Sequence, residues 1–253
     1  MPAPDAMQPE FHALAADLRD TARGHPVVWL PNPGNWGAAL TRDATRDFLA
    51  ASGVAFREVG HVGRAELLRA LLFRDVLVHG GGGAWSERFP GAWETVRRAA
   101  PWFRHTIVLP SAFGRDVALE RCSLWARDRG ASLRHAPRAR FCHDLGFFPG
   151  PIDVPPGHGV GWFLRDDSLS RASAAGRAPS PDLSSRGDQL SPLAPFLAEI
   201  ARFEEVHTDR VHVAIAACRM GRRVHVHAVE GPMLSDLFEA SIAPLFPNAV
   251  LHR

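Results

Sequence analysis

The chain contains no lysine and no tyrosine, so all 29 of its basic side chains other than histidine are arginines. Without lysine there can be no Schiff base, no pyridoxal-phosphate attachment and no P-loop lysine. Any anion handled here must be held by guanidinium, imidazole or backbone N–H groups, and the planar fork of arginine suits carboxylate and phosphate. Cysteine is scarce. Cys122, Cys142 and Cys218 are too widely spaced for a zinc pattern or a disulfide framework, which predicts buried free thiols in a reducing compartment. The N-terminus lacks a basic region followed by an apolar core, and no apolar run approaches the roughly 20 residues of a membrane span. A cytoplasmic protein without an integral membrane segment is therefore expected. The net charge of +2 points away from nucleic acid and from a charged membrane surface. Nothing in the sequence indicates an oligomeric state.

What is present is a chain of 253 residues, 46% hydrophobic, long enough for one large or two small domains. A helical pattern in residues 1–23 places Phe11, Leu14, Ala15 and Leu18 on one side. Apolar runs bounded by breakers then alternate with helical stretches. Strands are expected at 26–31, 54–59, 76–79 and 106–109, and helices at 38–51, 64–73, 90–100 and 117–129. Such alternation with short connections predicts a parallel sheet covered on both faces, with ligands beyond the carboxyl ends of its strands. Residues 149–159 hold four prolines and three glycines and read as a linker. A strand is expected at 161–167, a mobile surface loop or lid at 168–191, helices at 194–203 and 234–242, and a strand at 224–229. The expected organisation is an N-terminal Rossmann-like domain (1–155) and a smaller C-terminal one (156–253).

Five places carry potential chemistry. Thr208 and Asp209 are good N-cap residues and open an apolar helix, with Arg210, Val211 and His212 at its start. Such a start can hold an anion and deliver a proton, or can be an ordinary solvated helix end. A neutral histidine there resists protonation until a bound dianion restores its proton. Gly80, Gly81, Gly82 and Gly83 follow an apolar strand ending in His79, and permit either close approach of a ligand or a tight turn. The turn at Asn32, Gly34, Asn35, Trp36 and Gly37 follows another strand, and neither turn fits G-x-G-x-x-G. Arg165, followed by Asp166 and Asp167, either reaches a cleft from a strand end or forms a surface ion pair. His225 and His227 share one side of a strand, but no neighbouring spacing supplies further ligands and no metal is expected.

Three of these stretches together resemble the polysaccharide pyruvyltransferase family. Its N-x-G-N-x-G-D turn is matched by Asn32, Gly34, Asn35 and Gly37, its strand ending in glycines by residues 76–83, and its T-D-R-x-H segment by residues 208–212. Arg165-Asp166 is similar to the family's mid-chain arginine. Ala38 stands where the first motif closes on aspartate, and Glu230-Gly231-Pro232 replaces a region that often carries lysine. The resemblance implies two Rossmann-like domains facing a cleft (GT-B-like) and a transferase of polysaccharide or exopolysaccharide biosynthesis. Pyruvyl would pass from phosphoenolpyruvate, as co-substrate and with no cofactor, to two hydroxyls of a sugar or glycan as a ketal. By the same resemblance Arg165, Thr208, Asp209, Arg210, Val211 and His212 bind the donor, with His212, Arg210 and Arg165 catalytic. Asn32, Gly34, Asn35, Trp36, His79, Gly81, Gly82 and Gly83 line the acceptor side. A GT-B glycosyltransferase using a nucleotide sugar, or a non-catalytic binding subunit, are the alternatives.

Overall fold

The computed structural model describes residues 4–82, 84–86, 90–166 and 182–253. Eleven strands and eight α-helices among them build two parallel sheets. In the first half, α1 (Gln8–Ala22) precedes β1 (Val27–Leu30), α2 (Gly37–Ala51), β2 (Phe56–Glu58), α3 (Arg64–Phe73) and β3 (Val76–His79). After these come β4 (Ala84–Ser86), α4 (Gly91–Ala99), β5 (His105–Gly114), β6 (Cys122–Ala126), α5 (Ala131–His135) and β7 (Arg140–Phe141). The strand order is β2-β1-β3-β5-β6-β7, with β4 pairing the far end of β5.

The order reverses at β1, so crossovers cover both faces. Val27 and Trp29 of β1 and Val76 and Val78 of β3 face one apolar cluster. Val28, Leu30 and Leu77 face another, with Ala70 of α3 and Ala99 of α4. Burial on both sides explains why β1 and β3 are apolar without alternation.

The second half carries β8 (Val160–Phe163), α6 (Leu193–Ala201), β9 (Glu205–Thr208), α7 (Val211–Arg219), β10 (Arg223–His227), α8 (Met233–Leu237) and β11 (Ala249–His252). A π-helical turn, Phe238–Ile242, continues α8. This sheet is parallel throughout, in the order β11-β10-β9-β8. Val206, Val224 and Val226 point inward with residues of α6, α7 and α8, while Glu205, His207, His225 and His227 alternate outward.

One apolar cluster runs through both halves, from Leu14 of α1 through Ile107 of β5 to Ile215 of α7 and Val226 of β10. Its centre is α7, where Val213, Ala214, Ile215, Ala216, Ala217 and Cys218 are all buried. A helix apolar all round belongs inside. Its alanines let it lie against α2, α6, β9 and β10 at once. Among the described residues no helix is long and apolar enough to cross a membrane. All three cysteines are free thiols; Cys142 and Cys218 are buried and Cys122 is only partly so.

The structure corrects several expectations. Residues 117–129 hold β6 rather than a helix, and α5 follows at Ala131–His135. Strand β5 does not stop before Pro110 but runs on to Gly114 across a register shift between Val108 and Ser111. The C-terminal strand β11 was not foreseen. Residues 182–191 are not a loose surface loop: Asp182, Leu183 and Ser184 are buried, and Asn35 bridges to Asp188. The rest of the expected lid, 168–181, lies outside the described residues.

Ile215 is fully buried at the meeting point of the two halves. Ile215→Ala should cost about 2–5 kcal/mol. Its urea midpoint should fall in one transition that includes both sheets.

Candidate active site

The carboxyl ends of β8 and β9 are tied by the two residues expected to cap α7. The Thr208 hydroxyl donates to the Phe163 carbonyl oxygen at 2.8 Å and accepts from the Arg210 N–H at 3.0 Å. Asp209 accepts the Arg165 N–H at 2.8 Å. Both side chains are therefore spent on neighbouring backbone. The residue at the N-cap is Arg210, and among the described residues no side-chain cap hydrogen bond is made there. This corrects the capping expectation and leaves the positive end of a nine-residue helix open toward the cleft.

His212, in that first turn, reaches across to the first half. A Cβ on Gly37 would stand 2.9 Å from both the Cβ and the Nδ1 of His212. A Cβ on Gly82 would stand 3.4 Å from its Nε2, and Gly82 has φ +78°, a conformation that favours glycine. The imidazole thus sits between the two glycine turns, each of which approaches closely because it lacks a side chain. Its Nε2 is buried and has no hydrogen-bond partner among the described residues. Burial pushes His212 down to about 4, helped by the nearby Arg127 and Arg210 cations and opposed by Asp144. It is therefore neutral at pH 7.

Three arginines border the same space. Arg127, buried just beyond β6, pairs with buried Asp144 at 2.9 Å. Asp144 also accepts the Gly146 N–H at 2.9 Å. Arg210 forms a two-pronged ion pair with buried Asp182 through its Nε and Nη2 atoms. Asp182 in turn caps the short 3-10 helix Leu183–Arg186. Arg210 is thus anchored by a carboxylate of this chain, which the reading of it as a free anion grip had not anticipated. Arg165 enters from the end of β8.

The cleft has a volume of about 480 Å³. Asn32, Gly34, Asn35, Gly81, Gly82, Arg165, Asp209, Arg210, Val211 and His212 line it, together with Arg127 and Ser184. The turn at Gly34 is fixed from the second half: its N–H donates to the Gln189 side-chain oxygen at 3.0 Å and its carbonyl accepts the Gln189 N–H at 3.1 Å.

Three expected positions fall elsewhere. Thr208 is buried behind the cleft wall. Trp36 packs on Phe196 and donates to the Pro192 carbonyl at 2.9 Å, a bond between the halves. His79 is fully buried against Trp85 and borders a neighbouring cavity of about 850 Å³, which shares Pro33 and Ala92 with the cleft. Gly83 lies outside the described residues.

No family model and no curated protein matches the chain. Among solved structures, a functionally uncharacterized protein from Klebsiella pneumoniae subsp. pneumoniae NTUH-K2044 has the same fold, with a TM-score of 0.77 over 98% of both chains and 18% sequence identity.

Two measurements test the site. Gly37→Ala must displace the His212 ring, so the titration of that ring, followed by NMR, should move away from about 4. His79, His143 and His212 all sit near 4, against an ordinary 6.5. Between those values the unfolded chain binds protons that the folded chain refuses. Stability should therefore fall as the pH drops from 6.5 toward 4, seen as a declining urea midpoint.

Proposed function

We propose that this chain transfers a pyruvyl group from phosphoenolpyruvate to two hydroxyls of a sugar acceptor, forming a ketal and releasing phosphate. The observation that carries the reading is the buried Nε2 of His212, which has no partner among the described residues, placed at the N-terminus of α7 in an arginine-bordered cleft. A small ligand bearing both a carboxylate and a phosphate matches that combination of cations and N–H donors. The two parallel sheets with carboxyl ends toward one cleft are read here as a compact GT-B-like arrangement.

In the proposed reaction the phosphate lies against the first turn of α7, and Arg165 and Arg127 hold the carboxylate. Arg210, fixed by Asp182, keeps a positive wall behind the phosphate. The dianion's field raises the His212 pKa, so the imidazole takes up a proton only when the donor is bound. His212 then delivers that proton to the methylene carbon, and positive charge develops at C2. One acceptor hydroxyl adds to C2 and returns its proton to the now neutral His212. The C2–O bond to phosphate breaks with its electron pair, the second hydroxyl closes the ketal, and its proton leaves with phosphate. The neighbouring 850 Å³ cavity, with Arg42, Glu58, His61 and Gln189 over an apolar floor of Leu30 and Val59, suits a sugar.

His212→Ala should leave phosphoenolpyruvate binding nearly unchanged in calorimetry while lowering turnover about 10²–10⁴-fold in a phosphate-release assay with a panel of sugars. Near-normal turnover in that variant would remove His212 from the mechanism. Thermal stabilisation by UDP- or GDP-sugars instead of phosphoenolpyruvate would replace the donor assignment with a nucleotide sugar.

A further inference from the structure

The outward face of the four-stranded sheet carries chemistry that the cleft does not use. Strands β8 to β11 lie side by side in chain order. Right-handed crossovers between sequential parallel strands all fall on one face, so α6, α7 and α8 gather on the inner side. Outward positions then come into register: Trp162 beside His207, His207 beside His225, and His227 beside His252. The rings stack, with centroids 3.7 Å apart for Trp162 and His207 and 4.3 Å apart for His207 and His225. Glu205, two residues before His207, lies on the same side. Its Oε1 is 3.0 Å from His207 Nε2 and 3.6 Å from His225 Nε2.

We propose that Glu205, His207 and His225 bind a transition-metal dication of the zinc class through Glu205 Oε1 and the two Nε2 atoms, at a site separate from the cleft.

Four observations support this. Donor atoms around a tetrahedral ion at 2.0–2.1 Å stand roughly 3.3 Å apart. The two Glu205 distances bracket that spacing, and all three donor atoms lie within 4.8 Å of one another, within the reach of a ring rotation. Second, the other nitrogen of each ligating ring already has a partner. His207 Nδ1 is 3.1 Å from His227 Nε2, and His225 Nδ1 is 2.8 Å from His252 Nε2. A metal-bound imidazole donates its remaining N–H to such an acceptor, which fixes its tautomer and aims its lone pair at the ion. Third, the two oxygens of Glu205 meet different partners, with Oε1 facing His207 Nε2 at 3.0 Å. Arg223 takes the other carboxylate oxygen, Oε2, at 3.2 Å, so Oε1 remains the ligand. Fourth, two imidazoles and one carboxylate suit zinc, nickel or copper rather than magnesium or calcium. The side chains are 13–25% exposed, so the ion enters from solvent and a water completes its shell.

The test uses the full chain without an added histidine tag, stripped with EDTA and titrated with Co²⁺ under visible absorption and calorimetry. One ion per chain should bind with the intense absorption of a four-coordinate cobalt site, and Zn²⁺ should displace it. Glu205→Gln and His225→Ala should each abolish that band. His252→Ala, which removes only an outer partner, should weaken binding roughly 10–100-fold. His212→Ala, in the cleft, should bind cobalt as the unmodified chain does. Urea midpoints matching the parent show that the variants fold. No saturable binding by the parent chain, or unchanged binding in either Glu205→Gln or His225→Ala, overturns the proposal.

Discussion

The molecule depends on one close packing: the first turn of α7 pressed against the two glycine turns of the other half. His212 occupies the space left by the missing side chains of Gly37 and Gly82. The helix behind it is buried from Val213 to Cys218. The apolar effect that stabilises the chain and the contact that assembles the cleft are therefore consequences of one placement. Burying α7 removes several aliphatic side chains from water, each worth on the order of 1.5–3 kcal/mol when fully buried. Ordering the imidazole among backbone atoms is a smaller cost set against that. The same burial keeps His212 neutral.

The arginines follow from the lack of lysine, but they are not loose charges. Arg127 and Arg210 are each matched with a carboxylate buried in the chain, Asp144 and Asp182. Such pairs contribute little net stability, because desolvating both charges offsets most of their attraction. Their effect here is geometric: each fixes a planar fork at the cleft wall. Asp182 adds a second link, since the segment that carries it also holds the turn at Gly34 through Gln189. The cleft is thus closed from the second half by hydrogen bonds as well as by α7.

Much of the fold was legible because its strands are short apolar runs punctuated by glycine and proline. The expected helix at 64–73 coincides with α3, and that at 38–51 differs from α2 by one residue. The failure at 117–129 has a physical cause: a strand buried on both faces does not alternate, and periodicity cannot separate it from a buried helix. That error also hid Arg127, which stands one residue beyond β6. Asp182 was hidden differently, in a stretch whose serines and prolines read as loop. The T-D-R-x-H segment pointed to a helix start facing an anion, and the cleft forms there. The roles within it were less legible, since Thr208 and Asp209 turned out to bind neighbouring backbone.

Strand β9 shows why part of the chemistry escaped sequence reasoning altogether. Its inward residues Val206 and Thr208 serve the core and the cleft, while its outward residues Glu205 and His207 serve the opposite face. The alternation in Val224-His225-Val226-His227 correctly announced a strand, yet the partners of those histidines arrive from β9 and β11, about 20 and 27 residues away. A metal-ligand spacing motif assumes ligands close together in sequence, usually within one helix or turn. In a parallel sheet the relevant spacing is the length of a crossover, which sequence does not mark. The sequential strand order then decides which face stays open, and here it leaves open the face that carries the imidazoles.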